Sequence, residues 1–474
     1  MAVQQFPQII DDAGKPRFNA IYRERLAALL SEDLDFHDQN SGYASHNFHS
    51  FPAKFPPQLP RRFIRELTQP GDVVLDPMMG SGTTILEAFL AGRHGVGIDI
   101  DPLALMISKV KVTSLNIEQI TQLGNLILKE AKLSVKERRH ALEEAFEKHC
   151  DLKTRQFIDR WFAPETQIEL LALITEIEKI TDISIRAFFE VVFSSIIITK
   201  SGGVSFALDL AHTRPHQAKV VITKDYNKVV SKKNLTNSSS SSSHQISILT
   251  KTIRSALEEF RRRFQQNLNG LLELGLGEIQ PHIILGNAQS LPLNDVSVDL
   301  IVTSPPYTSN AIDYMRAHKF SLVWMGYTID DLSQRRNKYI GGEAMRDIAL
   351  EELPDNTAKV VEGIASQDEK KGRILHRYYS EMTRTINEIF RVLKPGRAAI
   401  IVVGSSIMLG RDTKTPTCLA EIGQTIGFEV PKIGIRSLDR DRRMLPAGSK
   451  LNLDSQIQQR IHKEYVIGFY KPQA

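Results

Sequence analysis

Cysteine is scarce in this chain. Its 474 residues include two, Cys150 and Cys418, too few for a disulfide framework or a cysteine-built zinc site. No metal is expected. Long apolar runs are also missing: the longest, Phe188 to Thr199, is interrupted by Glu190, Ser194 and Ser195 and falls short of the ~18 residues that suggest a membrane span. Met1 to Ile10 has neither the basic start nor the apolar core of a secretory signal. These absences lead us to expect a cytoplasmic protein without membrane contact. An excess of one charge is lacking too, with 60 Lys+Arg against 55 Asp+Glu and a formal net charge of +5, so the total charge identifies no partner.

The distribution of charge says more. Between Lys200 and Gln266 there are twelve Lys/Arg against four acids, an excess that leaves the rest of the chain slightly acidic. Such a stretch fits a polyanion-binding surface that neutralises phosphates; a solvated helix face with a loop fits equally well. The length is that of two to three domains at roughly 150 residues each.

Short apolar segments punctuated by turns set the fold class. Gly71 to Asp76 reads as a buried strand, Thr83 to Leu90 as a helix opening after a glycine-bearing turn, and Gly95 to Ile100 as a second strand. This βαβ unit begins a parallel, doubly wound α/β sheet. Further strands are expected at His282 to Leu285, Val298 to Val302, Ala398 to Val403 and Lys463 to Tyr470. Ile117 to Thr175 has helical spacing. The serine run Ser238 to Ser243 cannot bury apolar surface and reads as a loop. Asp330 to Gly372 is charged and weakly periodic, and reads as a partly ordered loop.

Two constellations carry chemistry. In the first, Asp76-Pro77-Met78-Met79-Gly80-Ser81-Gly82-Thr83-Thr84 places two glycines and three small hydroxyls at a strand-to-helix turn. Glycine lets the backbone approach a ligand, and a helix N-terminus offers unpaired N–H groups to an anion. Asp99, at the end of the next strand, can accept hydrogen bonds from a ribose diol. The pairing predicts a nucleoside cofactor, and the lack of a third spaced glycine argues against a dinucleotide. In the second constellation, Thr303-Ser304-Pro305-Pro306-Tyr307 follows a strand. Two prolines fix φ and remove two backbone donors. The loop is therefore built to accept hydrogen bonds, with the Ser304 hydroxyl and the Pro305 carbonyl facing an exocyclic amine and Tyr307 offering a stacking face.

Together these segments resemble motifs I and IV of the S-adenosylmethionine-dependent amino-group DNA methyltransferases, whose signature is (Asp/Asn/Ser)-Pro-Pro-(Tyr/Phe). The Ser-Pro-Pro-Tyr form is that of cytosine-N4 enzymes. His49 to Pro57 followed by Arg61 to Leu67 is similar to the element that holds the methionine end of S-adenosylmethionine, and Gly286 to Pro292 resembles the segment beside the adenine. Leu393 to Gly396 and Lys463 to Ile467 complete the pattern. The likeness covers residues 46–112 and 281–325, more loosely 376–470, with Met78 where Phe is usual and Asn287 where Asp is common.

The resemblance implies a Rossmann-like methyltransferase sheet with a helical insertion. It gives an N-terminal helical extension (1–45), a discontinuous catalytic domain (46–112 and 281–474) and an inserted helical region (113–280) as the candidate for target recognition. It implies that Phe55, Pro56, Asp76, Pro77, Gly80, Ser81, Gly82, Thr83, Asp99, Asn287 and Ala288 bind S-adenosylmethionine and that Ser304, Pro305, Pro306 and Tyr307 are catalytic. The substrate would be double-stranded DNA with a flipped cytosine, in a restriction–modification or genome-marking setting at the nucleoid, with a cognate endonuclease as a possible partner. Adenine N6 and RNA bases are the alternatives. Neither cysteine lies near the motifs, in agreement with transfer that needs no covalent enzyme intermediate. Further candidates for target contact are Arg335 to Lys338 and the arginines Arg436, Arg440, Arg442 and Arg443, the last two also readable as an ion-pair cluster with Asp439 and Asp441. His49 could face the cofactor or be structural. Asp313 could assist Ser304 or simply begin a helix.

Overall fold

A computed structural model describes residues 18–51, 54–199, 203–207, 220–222, 224–226, 228–231, 250–274, 279–308, 313–342, 349–438 and 463–473. Its strands are β1 (Val73–Asp76), β2 (His94–Asp99), β3 (Val220–Ile222), β4 (Lys228–Ser231), β5 (Thr250–Thr252), β6 (His282–Leu285), β7 (Val298–Thr303), β8 (Leu393–Gly404), β9 (Ile407–Met408), β10 (Arg411–Asp412), β11 (Glu429–Ser437) and β12 (Lys463–Tyr470).

Seven of them form one sheet in the order β11-β12-β8-β7-β1-β2-β6. Pairings from β8 to β6 are all parallel. β12 runs antiparallel between β8 and β11. The central strands read as continuous apolar runs because both faces are covered: all six residues of β7 are buried. Alternation sorts them. Leu75, Ile301 and Ile401 pack on one face with helices Glu369–Val392 and Thr415–Ile426. Val74, Leu300, Val302 and Ile400 pack on the other, against helices Phe18–Leu29 and Gln58–Leu67.

The chain leaves β1 toward β2 and β6 on one side, and its later strands β7 and β8 lie on the other. The order therefore reverses between β1 and β7, and such a switch point opens a crevice outside the carboxyl ends of those two strands. Asp76 and Thr303 are the residues at its lip. The expected doubly wound α/β sheet is present.

Residues 113–280 contribute helices Ile117–Glu137, Arg139–His149, Leu152–Trp161, Pro164–Glu178, Ile183–Ile197 and Ala256–Leu274, with a small antiparallel sheet β3-β4-β5. Phe188, Phe193 and Phe264 from these helices share one hydrophobic core with Met79, Leu86 and Ile107 beside the crevice and with Phe320 and Trp324. Among the described residues no helix is long and apolar enough to cross a membrane.

Two expectations are corrected. The described residues of 330–372 are largely helical rather than loop: they carry most of helix Ile329–Arg336, all of Asp355–Ala365 and the start of Glu369–Val392. Thr328 and Asp368 cap two of these helices with their side chains, satisfying first-turn N–H groups of the short helix Ile329–Arg336 and of the long helix Glu369–Val392. β11 was not expected, because its largely half-exposed residues show no clean alternation. The serine run, Lys232, Lys233 and Asp439 to Arg443 lie outside the described residues.

Candidate active site

The turn after β1 is built from backbone. Gly80 and Gly82 have φ of 47° and 71°, values that favour glycine. A Cβ at Gly80 would lie 3.2 Å from the Phe51 ring, and one at Gly82 would lie 2.6 Å from Ser108 Oγ. Gly82 is the N-cap of helix Thr83–Leu90 and brings no side-chain cap, which leaves the first-turn N–H groups to an external acceptor. The Gly80 amide donates to Asp99 Oδ2 (2.8 Å), Ser108 Oγ donates to the Gly80 carbonyl (3.0 Å) and buried Lys111 Nζ donates to the Ser81 carbonyl (2.7 Å). Thr303 Oγ1 donates to Asp76 Oδ1 at 2.7 Å, tying the ends of β7 and β1 together.

Burial pushes the Asp76 carboxyl up to about 7. Burial, helped by the neighbouring Asp101, pushes Asp99 up to about 6. Both acids would be relieved by a cation or by hydroxyl donors. Residues at this turn thus suit a ligand carrying carboxylate, positive charge and a diol, which is the donor set of S-adenosylmethionine.

The outer wall is delivered by residues 43–51 and 54–57. Buried Glu87, on helix Thr83–Leu90, accepts from Tyr43 Oη, His46 Nε2 (2.8 Å) and Arg61 Nε (3.0 Å). Burial pushes His46 down to about 4, so this contact is a neutral hydrogen bond rather than an ion pair. The clamp sets Phe51, Lys54 and Phe55 against the glycine turn.

These pieces line a cleft with about 910 Å³ of space, part of it open to solvent. Of the residues singled out in the sequence, Phe55, Asp76, Pro77, Gly80, Ser81, Thr83, Asp99, Asn287, Ala288, Ser304 and Pro306 line it. Pro56, Gly82, Pro305 and Tyr307 do not. Asn287 spends its Oδ1 on the Gln289 amide at 3.0 Å. Phe51, in the segment expected at the cofactor, and Lys338, expected at the target, also line the cleft, and residues the sequence reading missed complete the lining, among them Asp101, Tyr314, Tyr339 and Ile340. Asp101 had a signal, an acid before proline at a helix start: it caps helix Pro102–Lys111 through Leu103 and Ala104 while its Oδ2 accepts from Tyr339 Oη and bonds His318 Nδ1, both at 2.7 Å. Tyr314 and Tyr339 had none.

The turn after β7 is held by side chains from elsewhere. Tyr307 Oη donates to Glu464 Oε1 on β12 at 2.8 Å, and Glu464 also pairs with Arg436 on β11. Arg436 Nε in turn donates to the Leu34 carbonyl at 3.2 Å. Burial and the Glu464 carboxylate push the Tyr307 phenol up, keeping it a donor. Next to it, Thr308 Oγ1 sits among the hydroxyls of Ser406 (2.8 Å), Thr413 (3.2 Å) and Thr415 (2.9 Å), all buried.

For His49 and Asp313 the structural alternative holds, and Arg436 has other work than suggested. His49 is buried and hydrogen-bonds Ser194 Oγ at 2.8 Å in the inserted helices, outside the cavity lining. Asp313 begins helix Tyr314–Leu322 and pairs with Arg316 and Arg336 rather than Ser304. Arg436 is consumed by Glu464 and so is not a surface contact for a target. Lys338, by contrast, lines the cavity.

A doubly wound sheet with one antiparallel strand near its edge, a glycine turn over a cleft and a donor-free proline loop on the next strand define a group-transfer enzyme of the methyltransferase class. Comparison with known proteins agrees. Residues 18–109 match the family model described as DNA methylase. The type II methyltransferase M.MvaI of Kocuria varians is 26% identical over 425 residues, covering 84% of this chain and 86% of that protein. M.BsoBI of Geobacillus stearothermophilus is 22% identical over 448 residues, 85% of this chain and 82% of its own length. M.PvuII of Proteus hauseri is 40% identical over 79 residues, 16% and 24% of the two chains. These comparisons support an S-adenosylmethionine-dependent DNA methyltransferase of the amino-group type.

Proposed function

We propose that the protein methylates the exocyclic N4 amine of a cytosine flipped out of duplex DNA. The observation that carries this reading is the single cavity shared by the β1 turn and the proline loop, lined by Gly80 and Asp99 on one side and by Ser304 and Pro306 on the other. Asp76, Gly80 to Thr83, Phe55, Asp99 and Ala288 would hold S-adenosylmethionine, which supplies an electrophilic methyl group. Its carboxylate suits the uncapped helix start, and its ribose hydroxyls suit Asp99.

Cytosine N4 is a poor nucleophile because its lone pair is delocalised into the ring. The Ser304 hydroxyl and the Pro305 carbonyl would accept its two hydrogens, favouring a pyramidal nitrogen and aiming the lone pair into the cavity. Flipping the base costs a few kcal/mol, and stacking on the Tyr307 ring would offset about 1–3 kcal/mol of that. Pro56, Gly82 and Pro306 shape the two turns. The choice of N4 over adenine N6 rests on Ser304 in the first position of the loop. The type II naming of the relatives supports a restriction–modification setting in the cytoplasm, with a cognate endonuclease as partner.

The decisive experiment incubates the protein with duplex DNA and labelled S-adenosylmethionine and then digests the DNA to nucleosides. Label in N4-methylcytosine is expected. Label confined to N6-methyladenine would overturn the base assignment, and transfer to tRNA but not to DNA would overturn the substrate.

A further inference from the structure

The hairpin β9–β10 stands beside the proline loop and takes no part in the cavity. Its register pairs Met408 with Arg411 and Ile407 with Asp412, so Leu409-Gly410 is a two-residue turn. Both central residues have positive φ, 53° and 75°, the geometry that selects Asn-Gly. A leucine in that first position is strained. It gains nothing from burial in return, being 43% exposed, with Ile407 beside it at 41%. The Leu409 backbone carbonyl and Arg411 Nε meet the Gln367 side-chain amide, but the strained, exposed Leu409 side chain itself adds no burial to the fold.

Its location indicates what the residue is for. The hairpin follows β8 at the carboxyl edge of the sheet, the same edge as the crevice. Its base is fixed to the proline loop: Ser406 and Thr413 both bond the hydroxyl of Thr308, the residue after Tyr307. From Ser406 to Leu409 the chain advances three residues, roughly 10 Å at ~3.3 Å each. The tip can thus stand off the loop by about the depth of a DNA groove, ~8 Å. Arg411 and Lys414 are exposed around it, while Asp412 Oδ1 is engaged by Ser405 Oγ and by the Lys414 amide at 2.8 Å.

We propose that this hairpin contacts duplex DNA and that Leu409 enters the base stack next to the target, in the space the flipped base vacates, with Arg411 and Lys414 on the flanking phosphates. The inference rests on the DNA reading given above. Apolar wedges between base steps are an established way for proteins to hold a distorted duplex, and phosphate contacts fix their register.

The test is a variant whose two effects have opposite signs. Leu409→Asn installs the Asn-Gly pair such a turn prefers, so its thermal midpoint should rise above that of the wild type. Its affinity for a duplex that the wild-type enzyme methylates, read by fluorescence anisotropy, should fall on the order of tenfold, the scale of losing one buried leucine. S-adenosylmethionine affinity by calorimetry should be unchanged, and Leu409→Met should retain most DNA affinity. Wild-type DNA affinity and turnover in Leu409→Asn would overturn the hairpin's role and leave the enzyme reading standing. A fall in both stability and DNA affinity would make Leu409 a structural residue and also overturn it. If the wild type methylates no duplex, the DNA reading fails and this inference with it.

Discussion

The turns after β1 and after β7 leave adjacent strands at the same edge of the sheet, yet they are fixed in different ways. The first is held mostly by its own backbone and near neighbours: Gly80 by Asp99 and Ser108, Ser81 by Lys111, all within about thirty residues. The second is held by side chains far away in sequence, Tyr307 by Glu464 and Thr308 by Ser406, Thr413 and Thr415. A donor-binding turn needs one permanent shape, which glycine conformations and a helix start supply locally. The β7 loop, which the proposed function assigns to the target base, is instead braced from outside, which makes its position adjustable by distant substitutions.

If that contrast is right, the two turns can be disabled separately. Gly80→Arg places a side chain at a left-handed position against the Phe51 ring and should abolish S-adenosylmethionine binding in calorimetry; retained binding would remove the β1 turn from the site. Tyr307→Ala should lower turnover roughly 10- to 100-fold, the loss of one base-stacking contact, with cofactor affinity within about twofold of wild type. Equal loss of cofactor binding in both variants would show that the turns are not separable. Tyr307→Phe keeps the ring and removes only the hydroxyl that meets Glu464, so turnover should fall about three- to tenfold, the effect of one hydrogen bond. Wild-type turnover there would mean that the β12 brace does not position the ring.

The smallest effect concerns pH. Asp76 and Asp99 hold their protons more tightly folded, near 7 and 6, than the ordinary value of 3.8. Their contribution to stability is therefore full below about 4 and is lost as pH rises through 6 to 7. The ligand-free thermal midpoint should fall across that window, less steeply in Asp76→Asn. Saturating S-adenosylmethionine should reduce the fall, since it favours the ionised acids. A slope unchanged in the variant would assign the pH response elsewhere.

What the sequence made legible follows the same contrast. β1, β6, β7 and β12 are short apolar runs, and the residues of the glycine turn are contiguous, so spacing and composition reveal them. The roles of Glu464, Thr308, Tyr339 and Ile340 are invisible to such reading because nothing local marks a glutamate on β12 as the partner of a tyrosine 157 residues earlier. Arg436 misled for the same reason, an arginine in a half-exposed strand whose charge is spent inside the protein. The helix at Ile329–Arg336 was missed because its charged residues outnumber its two apolar ones, and Asp355–Ala365 because it is short and flanked by charged segments.

The core common to the inserted helices and the crevice wall bears on modularity. Phe188 and Phe264 pack in the same apolar interior as Met79 and Leu86, so residues 113–280 are not a cassette that could be lifted out and exchanged for that of a relative. Grafting a foreign insertion would repack the wall of the donor pocket, and altered sequence preference is therefore better sought by changing solvent-facing side chains one at a time.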